Sequence, residues 1–525
     1  MGEKIVENSL ALREPPKSFP HKKKSLGKNY IYNLIYQLFL LIVPIIVTPY
    51  VARVLGDEGS GKYSFSFSLL TYFTLFANLG FSTYAQREIA KYQGDKEKQS
   101  KLFWEILVSR FIPTLITLLI YFILIGLGVF GENYTTLMLI LAINIVAVFF
   151  DIAFFFQANE EFGKMVINNI IIKAFSFIAI FIFVKTQEDL WKYALIQSIT
   201  VLFGFLVLWV HLPKSLQKVS IKDIHPLKHL LPAIILFLPT IATSVYTSLD
   251  KTLIGLLVPG EIVETLPDGT QVIIKLADIE NGNYEYAEKL VKMALTVITS
   301  LGSVMIPRNT KYFAEGKLEL VKENIYKSSK FVFIIGIPLV LGCIVIADNL
   351  IPWYLGSEYT KASSLMKLLS PLILFIGFSN VFGLQYLIPS GQDKKYMIAI
   401  VAGALLNLSL NLILIKYYQG YGAAIATIVA ELFVSVLMCL FARKNIKFLK
   451  ILFSSWKYFI AGTVMFVGCY FLARKLDPSI LNTFLIAGLG VLLYILLLFV
   501  FQDLYFLQNI KMLLKKIRIK NNIKS

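Results

Sequence analysis

Runs of 18 or more mostly apolar residues alternate with short polar stretches over nearly the whole chain. About fourteen such runs stand out, near 29–53, 61–83, 104–129, 134–156, 163–184, 190–210, 230–258, 285–306, 329–347, 364–388, 396–415, 421–441, 456–473 and 481–501. Each is long enough to cross ~30 Å of hydrocarbon as a helix. Backbone groups in lipid must find partners within their own segment, so helices are the element to expect. The pattern therefore predicts an all-α, polytopic integral membrane protein. One stretch breaks the rhythm. From Pro259 to Tyr284, "EIVETL" and "TQVIIKL" flank the turn "PDG" and predict a small β-hairpin.

Composition agrees with this reading. The chain has 525 residues, 57% of them hydrophobic, and a mean hydropathy of +0.68. Only 16% are charged, against a usual ~25% in soluble chains. The net charge is nevertheless +18. With the N-terminus placed inside, about 36 basic residues fall on that side and about 7 on the other. The excess thus reads as membrane topology, with both termini cytoplasmic, and not as nucleic-acid binding. Residues 1–28, with Pro15, Pro16, Pro20 and Lys22-Lys23-Lys24, read as a basic cytoplasmic arm without a signal-like apolar core. Cys343, Cys439 and Cys469 are scattered, and His225 and His229 have no acidic or thiol ligand beside them in sequence, so no metal site is read.

The first and seventh runs end alike, in "ARVLG" and "DKTLIG". Each is followed by a tyrosine-bearing helix start, "GKYSFSFSLL" and "YEYAEKLVKMAL". A glycine and an arginine come later in both copies: Gly80 and Arg87, then Gly302 and Arg308. Six-helix repeats that start on the same membrane side are parallel, related by a pseudo-two-fold along the membrane normal. The expected organisation is a first lobe over 29–210, a linker over 211–228 and a second lobe over 229–441 that carries the 259–284 hairpin. Two extra helices follow over 442–501, then a basic tail over 502–525. Symmetry of this kind favours alternating access over a channel or receptor.

"YVARVLGDEGSGKYSFSFSLLTYFTLFANLGFSTYAQREIAK" (50–91) resembles the opening signature of bacterial polysaccharide flippases of the Wzx type. "QGYGAAIATIVAELF" (419–433) resembles the Gly/Ala-rich twelfth helix of the wider superfamily, which includes the MATE exporters and lipid II flippases. The resemblance implies a non-enzymatic transporter of undecaprenyl-diphosphate-linked oligosaccharide in the bacterial cytoplasmic membrane. It implies two six-helix lobes around a cationic cavity, with no cofactor or metal. Coupling to a Na+ or H+ gradient or to the membrane potential goes with it. The partners it implies are the lipid-linked substrate, membrane lipids and a transient contact with polysaccharide polymerase machinery.

Charges inside spans are the candidate machinery, because each is costly in lipid unless it faces protein or water. Thr240, Thr243, Ser244, Thr247, Ser248, Asp250 and Lys251 share one wide helical arc. Lys251 is central in it and is expected to face the cavity. Asp250, at its edge, is expected to face a neighbouring helix. Lys173, about one turn after Asn168 and Asn169, is the deepest cation. It either meets a diphosphate or bridges to Asp151 across the hairpin of helices. Arg53, Arg87 and Arg308 carry the family-like motif and suit phosphate oxygens. Arg53 equally suits a helix C-terminus, and Arg87 and Arg308 equally suit positive-inside topology. Arg110 joins them as a diphosphate candidate able to snorkel to the same surface. In the second half Glu431, Asn407 and Asn411 are read either as sugar-facing or ion-coupling groups or as an interhelical clamp. The diphosphate is accordingly expected on the first lobe and the sugar toward the second. A MATE-type exporter would favour acidic cavity residues. A lipid II flippase shares the need for cations. A polymerase or glycosyltransferase would need a larger outer loop with acid/base groups than the single hairpin offers.

Overall fold

The computed structural model describes residues 26–212, 216–217, 219–220, 224–265 and 271–508. The basic arm, most of the C-terminal tail and the hairpin turn at 266–270 lie outside these. So do the side chains of Thr243, Ser244 and Thr247. The first half comprises α1 (Leu26–Asn78), α2 (Phe81–Ala90), α3 (Lys96–Gly126), α4 (Thr135–Phe150), α5 (Ala153–Ala158), α6 (Phe162–Phe183) and α7 (Leu190–Trp209). The second half opens with α8 (Leu230–Leu257). The strands β1 (Glu261–Thr265) and β2 (Gln271–Lys275) follow, then α9 (Leu276–Ala314), α10 (Leu318–Tyr354), α11 (Thr360–Leu369) and α12 (Leu372–Ser379). A π-helical turn (Asn380–Leu387) leads to α13 (Asp393–Ala442) and the short α14 (Phe448–Ser454). The last helices are α15 (Trp456–Ala473) and α16 (Ile480–Val500), which pack on α10.

Among the described residues ten helical stretches are long and apolar enough to cross a membrane, or eleven if the bent pair Thr360–Leu369 and Leu372–Leu387 counts as one. Two of them are each broken once, α1 at Gly56 and α13 at Gln419. With these breaks, and with α8, the helices are compatible with fourteen passes. Gly56 has φ 67° and ψ 179°, a conformation open only to glycine at no steric cost. Gln419 has φ 52°, a strained value for a residue with a side chain. It is held there by neighbours: the Gly420 N–H donates to Glu280 Oε2 at 3.1 Å, Lys361 pairs with Glu280, and Lys361 Nζ also reaches Gln419 Oε1 at 3.3 Å.

The hairpin is present, antiparallel, with Glu261 opposite Lys275 and Thr265 opposite Gln271. Its boundary needs correction. α9 starts at Leu276, so "ADIENGNY", read from its polar and glycine content as loop, is helix. Tertiary packing overrides propensity there. A Cβ on Gly282 would lie 2.0 Å from the Asp57 carbonyl oxygen, and one on Gly61 would lie 1.7 Å from that of Asp278. The two helices touch backbone to backbone, as small residues allow inside membranes. The repeat is also imperfect. Gly80, at φ 75°, separates α1 from α2, whereas its counterpart Gly302 sits inside continuous α9.

Buried apolar side chains divide mostly by halves, with Ala52 joining the second-half cluster and Ala233 a first-half one. One large cluster holds the second half together with α15 and α16, and three smaller ones fill the first half. Hydrogen bonds between the halves, among the described residues, fall into two groups. One group lies toward the hairpin end, where Ser60, Ser64 and Ser68 meet Tyr286, Glu285 and Thr252 at 3.2, 3.1 and 2.8 Å, and Tyr134 donates to Asp278 at 2.7 Å. The other ties the linker and the start of α8 to the first half. There Glu105 accepts from the His225 N–H at 3.1 Å and meets His229 at 3.0 Å, and Tyr84 meets the other His229 nitrogen at 2.7 Å.

A polar cavity between the halves

Ser60, Ser64 and Ser68 recur every fourth residue, so they form one stripe on the limb of α1 beyond Gly56. Glu285, Lys289, Lys292, Thr296 and Ser300 form a comparable stripe on α9. Toward the hairpin the two stripes are closed on each other. Farther along α9, Lys292, Thr296 and Ser300 are exposed. The two stripes are thus closed on each other at the hairpin end and part farther along α9.

Between them lie two adjoining chambers of about 260 and 300 Å³, which share Val51, Tyr193, Gln197, Tyr286 and Lys289. The first is lined by Lys251 and Glu285, the second by Lys173 and Ser176. Three lysines from three helices therefore stand on one continuous wall. Lys251 is not alone. Its ammonium pairs with Glu285 and, at 3.1 Å, with Glu288, whose other oxygen holds Lys292 at 2.6 Å. Lys289 lies over the Tyr286 ring at 5.6 Å. Lys173 is half-buried and makes no ion pair among the described residues.

Asp250 turns the other way. Its Oδ1 accepts from Asn411 Nδ2 at 2.7 Å, and its Oδ2 accepts from Thr427 Oγ1 at 2.5 Å and Tyr284 Oη at 2.7 Å. Asn407 extends the network, accepting from Asn411 at 3.0 Å and donating to Thr427 at 3.3 Å. Asp250 and Thr427 of this network border a chamber of about 340 Å³ inside the second half, lined also by Glu288 and Glu431. Two adjacent residues of α8 thus face two different cavities, and Glu288 borders one while binding the lysine of the other. This is how the chain accommodates charges in mid-span: each has a partner or a polar wall.

Five candidates belong elsewhere. Arg110, expected to reach phosphate, is fully buried in the first half. The break between α4 and α5 frees helix-terminal carbonyls within a span. Arg110 donates to those of Phe149, at 3.2 Å, and Asp151, and Trp209 donates to that of Phe150 at 2.9 Å. Arg53 is exposed near the hairpin end, beside Gly356. Arg87 and Arg308 are exposed near the opposite end, Arg308 over Tyr312. Asp151 does not bridge to Lys173. One oxygen accepts from the Ala153 N–H at 2.9 Å and the other from Ser82 at 3.5 Å, because the helix break exposes donors beside it. Of the first-half cations expected at the cavity, Arg53, Arg110 and Lys173, only Lys173 lines it, while Lys251 and Lys289 come from the second half beside Glu285 and Glu288. Sequence reading passed over Lys289, Glu285 and Glu288. Their signal was the Glu285–Lys289 and Glu288–Lys292 spacing of four, at residues taken for the polar start of a helix.

Closed at the hairpin end and holding polar chambers between two helical halves, the molecule has the architecture of a multi-pass membrane transporter. A profile described as polysaccharide biosynthesis protein matches residues 26–313, and a second of the same description matches 269–364. The chain belongs to that family of polysaccharide biosynthesis proteins, in keeping with the Wzx-type resemblance of its motifs. A protein of Escherichia coli K12 provisionally named an O-antigen transporter is 25% identical over 431 residues, 81% of this chain and 98% of its own. A structure of the lipid II flippase MurJ in an inward closed conformation aligns with TM-score 0.71 at 15% identity, covering 90% of this chain and 99% of that one. An inward-facing MATE multidrug transporter of the MOP superfamily aligns with TM-score 0.60 at 15% identity, covering 82% and 99%.

Proposed function

We propose that the protein carries a lipid-linked oligosaccharide, with undecaprenyl diphosphate as the lipid anchor, across the bacterial cytoplasmic membrane to its outer leaflet. The observation that carries this reading is the trio Lys173, Lys251 and Lys289 on the wall of one cavity between two halves. A diphosphate needs localised positive charge away from bulk water, where charges attract more strongly. Lys173 has no competing carboxylate and serves as the first anchor. Lys251 exchanges Glu285 or Glu288 for a phosphate oxygen as the halves close around the headgroup. Serine, tyrosine and glutamine side chains in the same chambers suit sugar hydroxyls. The prenyl tail stays in lipid, because each CH₂ moved into water costs ~0.8 kcal/mol.

In this reading both termini are cytoplasmic and the hairpin is outside. Asp250, with Asn407, Asn411 and Thr427, takes up the coupling ion, Na+ or H+. A change there reaches Lys251 through the neighbouring backbone and through Glu288. The E. coli relative and the lipid II flippase, both named for lipid-linked cargo or its sugar, support this class of substrate over the cationic drugs of an exporter. Depletion of the protein followed by mass spectrometry of membrane lipids tests it. A prenyl-diphosphate oligosaccharide should accumulate on the cytoplasmic face. Accumulation of lipid II would assign the second flippase reading, and no lipid-linked glycan at all would sink both.

A further inference from the structure

Apart from the central cavity, the second half contains an apolar recess of about 830 Å³ between α10, α12, the π-helical turn, α13 and the α14–α15 segment. Phe333, Phe375, Phe378, Phe382, Phe448 and Phe459 line it. Its mouth has a different chemistry. Arg443, Lys447 and Lys450 line the same recess and are exposed. None of the three makes an ion pair among the described residues. Basic residues nearer the start of α10 behave differently: Lys317 pairs with Glu315, Lys322 with Glu319 and Lys327 with Glu323. Positive-inside topology explains cations at this end of the molecule. It does not explain why these three converge on one hole.

The adjoining segment sits as an interfacial element should. Along α14 and into α15, Leu449, Phe453 and Trp456 are exposed while Ile451 and Ser455 are buried. Exposed aromatic and aliphatic side chains interleaved with lysines mark the headgroup level of a bilayer. The cations then lie among headgroups and the phenylalanines at the depth of acyl chains. An occupant must be anionic at one end and long and apolar at the other. The recess shares no lining residue with the central cavity, so it is not the transport path.

We propose that this recess is a site for a resident anionic phospholipid, with its phosphate on Arg443, Lys447 and Lys450 and an acyl chain among the phenylalanines. The guanidinium fork of Arg443 suits two phosphate oxygens, and the lysines add point charges. Basic pockets between helices on the cytoplasmic side are where anionic headgroups bind.

The test is native mass spectrometry of the delipidated full chain, mixed with equal phosphatidylglycerol and phosphatidylcholine of identical acyl chains. Wild type should retain phosphatidylglycerol by about tenfold over phosphatidylcholine. The triple variant Arg443→Gln/Lys447→Gln/Lys450→Gln should lose that preference. Lys444→Gln, in the same loop but outside the recess, should keep it. Leu440→Trp, which fills the recess without changing charge, should lower phosphatidylglycerol retention. Unchanged preference in the triple variant overturns the proposal. Displacement of phosphatidylglycerol from wild type by an equimolar long-chain prenyl phosphate overturns its assignment to a phospholipid.

Discussion

Lys173 and Lys251 stand on the wall of the same cavity, yet the two regions around them are built differently. On α6 the cation is half-buried, with no carboxylate partner among the described residues. On α8 it is clasped by two glutamates of α9. A lone ammonium attracts an anion from a distance but must be kept near water. A clasped one is stable in a drier place but must give up a partner before it can bind anything. The two sides of the cavity therefore suit two stages of one cycle, capture and then closure, and the contrast can be broken experimentally.

The largest effect should come from Lys251→Ala. It leaves Glu285 without its cation and Glu288 with Lys292 alone, and removing one partner of a buried pair costs ~3–5 kcal/mol. The melting temperature in detergent should fall. Adding Glu285→Gln to Lys251→Ala should recover much of the stability while transport stays low. Full recovery of transport as well would make Lys251 a purely structural cation. Arg110→Met should come next, at about 1–3 kcal/mol, since it leaves the carbonyls of Phe149 and Asp151 without a donor. Its transport should fall only as far as its folded amount does. A transport defect at normal abundance would return Arg110 to the ligand path.

Lys173→Ala should change stability by no more than about 0.5 kcal/mol while lowering transport about tenfold, equivalent to about 1.4 kcal/mol. Lys173→Arg should be intermediate, because charge is kept while shape and hydration change. If Lys173→Ala transports normally, the capture side lies elsewhere. Least disturbing is a test of sidedness. In a background without Cys343, Cys439 and Cys469, a cysteine at Gln271 should react with an impermeant thiol reagent from outside, and one at Gly316 should not. The reverse pattern would invert the cycle while leaving the contrast between the two lysines intact.

Much of the architecture was legible before any coordinates. Helix positions, the hairpin and the break at Gly56 follow from local rules: apolar length, β-rich flanks around a turn, and a glycine where the backbone turns left-handed. The opposite directions of Asp250 and Lys251 could be anticipated, because neighbours on a helix point ~100° apart. What each residue meets could not. Arg110 and Lys173 looked alike as cations in first-half spans. Only the break after α4 explains why Arg110 turns to backbone carbonyls, those of Phe149 and Asp151.

By itself, then, the sequence determined an all-α membrane protein, the sites of most helix ends and the crowding of basic residues on one side. These depend on hydropathy and on glycine, which act over a few residues. Tertiary structure alone decided that α9 begins at Leu276, because Gly282 must lie against Asp57 to close the hairpin end. It alone brought Lys289 and the pair Glu285 and Glu288 to the cavity, and sent Arg53, Arg87 and Arg308 to the surface. Whether a charge in a span serves a ligand, a partner or a helix end depends on contacts with other helices, from 34 residues away for Lys251 and Glu285 to 177 for Asp250 and Thr427, and no local pattern fixes which helices meet.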